Sequence, residues 1–522
     1  MNRRSFLTGW AARVAPAPAS DLSVRAASST LDPYVPDAGA PWDAVRAGHL
    51  LRRATFMPRH ADIATLQGLT PSAAVDLLLS TPYEPARPAV ADSITESLSG
   101  LEQSLRAGIQ GRWRADAATL RAWQTAAMRD APLSIAEKMT AFWSNHFATE
   151  FKVDDDYVIA PLLYRQNRLF RSTGLGSFRT LVANVTLDGA MLVYLGGHLN
   201  TAGKPNENYA REMLELFTTG LGHYTEGDIK EAARVLTGWR VSQFNDEPNP
   251  NGYFMPYFDP PSHDVNGKQF LGVSFPARDS STNTEFLVRR DEVERMIGVI
   301  FDRRPQACAE FICSKLYRFF VYSNPTAGDS EVITAMAELL IASNWEIRPV
   351  LAALLKSAHF FDNANIGAQI KTPAEFEIGL ARQLGAARTY GDDMTRLGQE
   401  LFDPPTVAGW PGHHEWITTT TFPVRAEIAQ SVIAGLDEAE LLTLIRSFPN
   451  HTDAAALVTA LAAVLLPRPM SAERSRSLRT LLVGGSMDYE WPQILTSSPS
   501  TAARNMREVI ATIAQLPDFQ LC

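Results

Sequence analysis

Apolar residues recur at three- and four-residue steps along almost the whole chain, and this rhythm confines it to helical architectures before any single residue is weighed. It predicts helices over about 59 to 80, 92 to 130, 133 to 149, 157 to 172, 176 to 187 and 206 to 219. They resume at 284 to 302, 305 to 321, 330 to 343, 346 to 358 and 373 to 388, with a final set at 424 to 447, 452 to 466, 470 to 483 and 500 to 515. Two stretches break the rhythm. Between Arg240 and Arg278 the texture turns to Pro, Gly, Asn and aromatics, and Asn266-Gly267 between short alternating runs predicts a small β-hairpin. From 402 to 422, Pro404, Pro405, Gly409 and Pro411 predict a rigid irregular loop. The expected fold class is therefore all-α. A large multi-helix domain over 41–423, with the hairpin insertion at about 240–278, precedes an Ala- and Leu-rich helical module over 424–522. A chain of 522 residues, 45% of them hydrophobic, can bury a large core.

Charge and composition remove several classes of function. A net charge of -9 leaves no concentrated basic face for nucleic acid. No apolar run approaches the length of about 20 residues needed to span a bilayer, so no transmembrane segment is expected. Cys308, Cys313 and Cys522 match neither a disulfide framework nor a thiolate metal site and read as buried thiols. There is no phosphate-cradling glycine loop, nucleophile elbow or zincin helix. The start, Asn2-Arg3-Arg4-Ser5-Phe6-Leu7-Thr8, looks like a twin-arginine export signal, with small residues permitting cleavage after Ala19 in a leader of about 40 residues. The expected location is periplasmic or secreted, or cytoplasmic if the arginine pair is not read as a signal.

Chemistry concentrates in the run from Lys204 to Trp239. A helix drawn at about 100° per residue from Glu207 places Asn208, Arg211, Glu212 and Glu215 on one arc and Tyr209, Met213, Leu214 and Phe217 on the other. Glu207 and Glu212 with Asn206 and Asn208 offer hard oxygens of the kind that suit calcium, magnesium or manganese. Arg211 also stands four residues from Glu207 and Glu215, so a plain ion-pair network fits the same spacing. Thr225 with Asp228 resembles a capping box. His146 precedes Glu150 by four residues, a spacing for a metal or an acid–base pair, although a core histidine beside Trp143 is the plainer alternative. His263, Asp264 and Lys268 flank the predicted turn. Trp410 and Trp416 either line a pocket or anchor their loop.

The run from Lys204 to Trp239 resembles the signature of the bacterial domain-of-unknown-function family 1800. Further blocks carry the likeness in order: Leu51-Arg52-Arg53-Ala54-Thr55-Phe56, Phe142-Trp143-Ser144-Asn145-His146-Phe147-Ala148-Thr149, His263-Asp264-Val265-Asn266-Gly267-Lys268, Lys315-Leu316-Tyr317-Arg318-Phe319-Phe320, and Leu401-Phe402-Asp403-Pro404-Pro405-Thr406-Val407-Ala408-Gly409-Trp410-Pro411-Gly412. The resemblance implies a large, mostly helical, exported protein, often encoded beside a sulfatase-like exported protein as a partner. It implies no activity.

These features lead to the expectation of one site where His146, the 206–215 helix and the 263–268 hairpin meet around a divalent cation. It would serve metal-assisted hydrolysis or transfer. Glu207, Glu212 and Asp264 would hold the ion, with His146, Arg211, Glu212 and His263 as catalytic groups and Asn206, Asn208, Lys268 and Trp410 binding substrate. The alternative is a noncatalytic cell-envelope binding or accessory protein whose polar cluster is a structural ion-pair network. A redox cofactor protein is a third reading, without a recognisable haem or flavin motif.

Overall fold

Helix Ala44–Ala54 starts where the Asp43 carboxylate accepts from the Val45 and Arg46 amides, and nearly all of it is buried. It carries two adjacent arginines into the interior. Arg52 donates through Nη2 to the carbonyls of Ala463 at 2.6 Å, Val464 at 3.1 Å and Leu466 at 2.6 Å. Arg53 donates through Nε to the Phe320 carbonyl at 3.0 Å and through Nη2 to that of Phe319. Those carbonyls end helices Ala454–Leu465 and Pro305–Phe320. A helix leaves its last carbonyls unpaired and its C-terminus partly negative, so each guanidinium satisfies both needs at once.

The computed structural model describes residues 30–153, 156–247, 249, 251–278, 286–386 and 391–522. The leader features at Arg3, Arg4 and Ala19 lie outside them. The fold is all-α, with three two-stranded antiparallel ribbons among the described residues. Helix Pro373–Leu384 is buried along its entire length. Pro373 sets its first turn, Thr372 and Glu375 form a capping box, and Gly385 closes it at φ 70°. The 28-residue helix Gln103–Asp130 packs beside it. One hydrophobic core runs from Ala47 to Phe519 and includes the C-terminal helices. A small separate cluster of Phe56, Met128, Ala374, Ile378, Met394 and Leu401 lies apart from it. Among the described residues no helix is long and apolar enough to cross a membrane.

The hairpin is present, but its turn is not Asn266-Gly267. Lys268–Phe270 pairs with Val273–Phe275, so the chain reverses at Leu271 and Gly272, both with positive φ, 47° and 75°. The Asp228 carboxylate accepts from the Leu271 amide at 2.8 Å and holds this turn from another helix. Asn266 instead donates its amide to Asp264 Oδ1 at 3.0 Å, the short-range bond typical of a loop asparagine or aspartate. A second ribbon, Trp239–Val241 with Pro256–Phe258, lies in the same insertion.

Buried charge ties the hairpin to the helical body. Glu292 receives Lys268 Nζ at 3.0 Å and faces His263 Nε2 at 3.0 Å, with all three side chains almost fully buried. Burial pushes the Glu292 carboxyl up, and its His263 and Lys268 partners more than reverse this, so it sits below its ordinary value. His263 Nδ1 bonds the Thr237 carbonyl at 2.8 Å. Removing one member of such a cluster strands the others. Glu292→Gln is expected to lower stability by about 3 kcal/mol, measured by urea unfolding. A loss under about 1 kcal/mol would mean the cluster is solvated.

Candidate functional site

A cavity of about 370 Å³ lies between helix Ala136–His146, helix Pro305–Phe320 and the irregular segment 401–416. That volume falls within the ordinary range of small-molecule sites. Its lining combines apolar residues, Phe56, Met128, Phe142, Phe319, Leu401 and Phe402, with polar ones, Asn145, His146, Lys315, Arg318, Trp410 and His413. His146 ends its helix, and Lys315 and Arg318 stand three residues apart on theirs.

His146 is 3% exposed and lies among the rings of Phe142, Trp143, Phe147 and Phe178. Its Nε2 lies 3.2 Å from the Phe217 carbonyl, which only an N–H can satisfy. Its Nδ1 is then the acceptor for Lys315 Nζ at 3.1 Å. Lys315 also donates to the Leu216 carbonyl at 3.1 Å. Both carbonyls follow helix Glu207–Glu215, whose C-terminal end thus faces the ammonium. Burial, then the Lys315 charge, holds the imidazole well below its usual value and therefore neutral. Burial, with Arg318 adding to it, brings the Lys315 ammonium down to about 8. Lys315 is therefore the member of the pair that can give or take a proton near pH 8, while His146 stays neutral beside it.

Trp410 is set by its backbone. Its amide donates to Asn145 Oδ1 at 2.7 Å, and Gly409 before it has φ 83°. A methyl group on Gly409 would lie 2.2 Å from Asn145 Oδ1 and 2.5 Å from its carbonyl oxygen, so only glycine permits this approach. The indole is 8% exposed, and its Nε1 is buried without a hydrogen-bond partner. His413 Nδ1 is likewise buried and unpartnered. Buried donors of this kind are uncommon in folded proteins. At the base of the cavity Lys138 pairs with Glu375, and Arg53 stands 4.0 Å from the same carboxylate.

Of the residues expected to form a site, His146 and Trp410 line this cavity, and the remainder lie elsewhere. Asn206 caps its helix by accepting from the Tyr209 amide at 3.1 Å. Glu207 and Asn208 are exposed. Arg211 grips Glu226 of the next helix at 2.9 and 2.8 Å, in place of Glu207 or Glu215. Glu212 is half-buried, and burial with Glu215 nearby raises its carboxyl. Asp264 is taken up by Arg234 at 2.7 Å and by Asn266, while His263 and Lys268 share Glu292. His146 therefore meets the end of the 206–215 helix through backbone carbonyls and not through its acidic face. Among the described residues no group of three or more His, Cys, Asp or Glu is arranged to hold a metal ion. Glu150, expected to share a helix face with His146, lies beyond the helix end and accepts from Tyr194 Oη at 3.0 Å.

Lys315 and Asn145 were not singled out from the sequence. Each sits in one of the blocks that carried the family resemblance, and that was the signal available. The cavity draws its walls from four of those blocks, around Arg53, His146, Lys315 and Trp410.

The fold and cavity define an all-α protein with a partly enclosed site of small-molecule size. The chain belongs to the family described as "Protein of unknown function (DUF1800)", whose model matches residues 49–521. No curated protein and no solved structure matches it.

Gly409→Ala is expected to destabilise the protein by about 2 kcal/mol through overpacking and strain. Urea unfolding measures the loss, and tryptophan emission reports the altered Trp410 environment. A variant with unchanged stability and emission would show that the Asn145 contact is not needed.

Proposed function

We propose that this is an exported protein that binds a small molecule in the cavity at His146, with Lys315 as the proton-transfer group acting on it and the neutral His146 positioning that lysine. Hydrolysis or group transfer is the class of reaction such a pair serves. The observation that carries this reading is Lys315 itself, an ammonium beside a neutral imidazole on the wall of a cavity of ligand size. Perturbed groups in such places mark functional sites, because burying them does nothing for the fold.

The sign of that burden is specific. A lysine whose folded value lies near 8, below its unfolded value, opposes folding at neutral pH. The penalty disappears as the pH rises from about 8 through the ordinary lysine range. Lys315→Met is therefore expected to be as stable as the parent, or more stable, at pH 7. The divalent ion expected from the acidic face has no role in this reading, since the described lining of the cavity has a single carboxylate, that of Glu375.

Two measurements test the pair. Competitive amine labelling across pH, read by peptide mass, should show Lys315 half-reactive near pH 8, with Arg318→Gln moving it upward by removing a like charge. A Lys315 that titrates with the surface lysines ends the proposal. A panel of chromogenic carboxylic, phosphate and sulfate esters should yield a turnover lost in both Lys315→Met and His146→Gln and kept in Arg211→Gln. If no ester turns over although Lys315 titrates near 8, the noncatalytic binding reading takes its place.

Export rests on Arg3-Arg4 and the small residues around Ala19. The double substitution Arg3→Lys, Arg4→Lys is expected to retain the protein in the cytoplasm of a host with a twin-arginine pathway, scored by cell fractionation. Equal periplasmic yield from the variant would show that this pair is not the signal.

A further inference from the structure

The charge of the cavity runs against that of the molecule. The chain carries a net charge of -9, yet the charged side chains lining the cavity are Arg53, Lys138, Lys315 and Arg318 against Glu375 alone. Lys138 and Glu375 neutralise each other. Arg53 is committed to the Phe319 and Phe320 carbonyls and to Cys522 Sγ at 2.7 Å. Lys315 and Arg318 remain, three residues apart on one helix, and neither has a carboxylate partner among the described residues. The hydrogen-bond partners of Lys315, the Leu216 carbonyl and the His146 imidazole, are neutral, as is the Phe311 ring 4.6 Å from its ammonium, so its charge has no anion to meet.

Trp410 gives an independent indication. Indole nitrogen only donates, and Nε1 of this cavity-lining residue is buried without an acceptor. Leaving such a donor unmet costs about 1 to 3 kcal/mol. A cation would be repelled by Lys315 and Arg318 and would offer nothing to the indole. A small inorganic anion would satisfy the donors and leave the apolar wall of Phe56, Met128, Phe142, Phe319, Leu401 and Phe402 uncovered.

Resting on the reading that this cavity is the working site, we infer that its ligand is an organic anion of the carboxylate type with an apolar body. The head group meets Lys315 Nζ and Trp410 Nε1, with Arg318 drawing it in at the exposed rim. The body lies on the aromatic and aliphatic wall. His413 Nδ1 adds a third donor when that nitrogen carries the proton.

The test uses three probes of one shape, 2-naphthoate, 2-naphthylmethanol and 2-naphthylmethylamine, titrated into the purified chain by calorimetry and tryptophan emission. Naphthoate is expected to bind at least about tenfold more tightly than the alcohol, as a charge-assisted bond warrants, and the amine not to bind. Lys315→Met should reduce naphthoate to the level of the alcohol. Trp410→Phe, which keeps the ring and removes the donor, should weaken naphthoate about tenfold in a protein that unfolds like the parent. Naphthoate affinity should decline above pH 8 as the ammonium titrates. If the alcohol binds as well as naphthoate and Trp410→Phe weakens both, the cavity remains the site and the anionic class is wrong. If no probe binds, or naphthoate binds equally to both variants, the cavity assignment falls with it.

Discussion

The placement of two consecutive guanidinium groups at the ends of two helices is the constraint from which the rest of the molecule follows. Arg52 and Arg53 leave one buried helix and reach carbonyls near residues 320 and 465, segments remote from each other in the chain. A buried guanidinium needs acceptors, and those that Arg52 and Arg53 find are the carbonyls at these two helix ends, which ties the helices to where the side chains point. Burial lowers the Arg52 value to about 10, a measure of how fully it has left water. Arg53 does a second thing. It stands beside Glu375 at the base of the cavity, so the side chain that fixes the end of helix Pro305–Phe320 also fixes the floor beneath Lys315 and Arg318.

Charge is buried in this protein in two distinct ways. At the hairpin, Glu292 gathers Lys268 and His263, and at Asp264 the Arg234 fork closes the arrangement. Each of these groups faces a carboxylate, which is how a fold secures an insertion. In the cavity, Lys315 has a ring nitrogen, a carbonyl and the Phe311 ring, and the Trp410 indole nitrogen has no hydrogen-bond partner. The hairpin cluster pairs cation with carboxylate, whereas the cavity leaves the Lys315 charge without an anion.

Much of the architecture could be read from periodicity and caps. Thr225 forms its expected box with Asp228, whereas Asn206, expected to bind substrate, caps its helix. The hairpin turn was misplaced because Leu271-Gly272 carries no turn signature of its own. It is held by Asp228 from across space, which no local pattern reveals. The acidic face of helix Glu207–Glu215 attracted attention for its density of charge, and a string of letters has the same density whether water covers it or not. Arg211 lies at the surface with Glu226. Lys315 presented the opposite problem, since a lone lysine on an amphipathic helix reads as solvated until the helix is seen against His146 and Leu216. Burial is a tertiary property, and the chemistry of this site depends on burial more than on residue type.

The contact between the Asn145 side chain and the Trp410 amide joins positions 265 residues apart. It makes the cavity a product of tertiary folding, because no local segment brings both walls together. A nascent or partly unfolded molecule has neither the indole donor in place nor the glycine pressed against Asn145, so it has no affinity for whatever occupies the space. Any occupant then selects completed molecules by mass action and draws the folding equilibrium toward them.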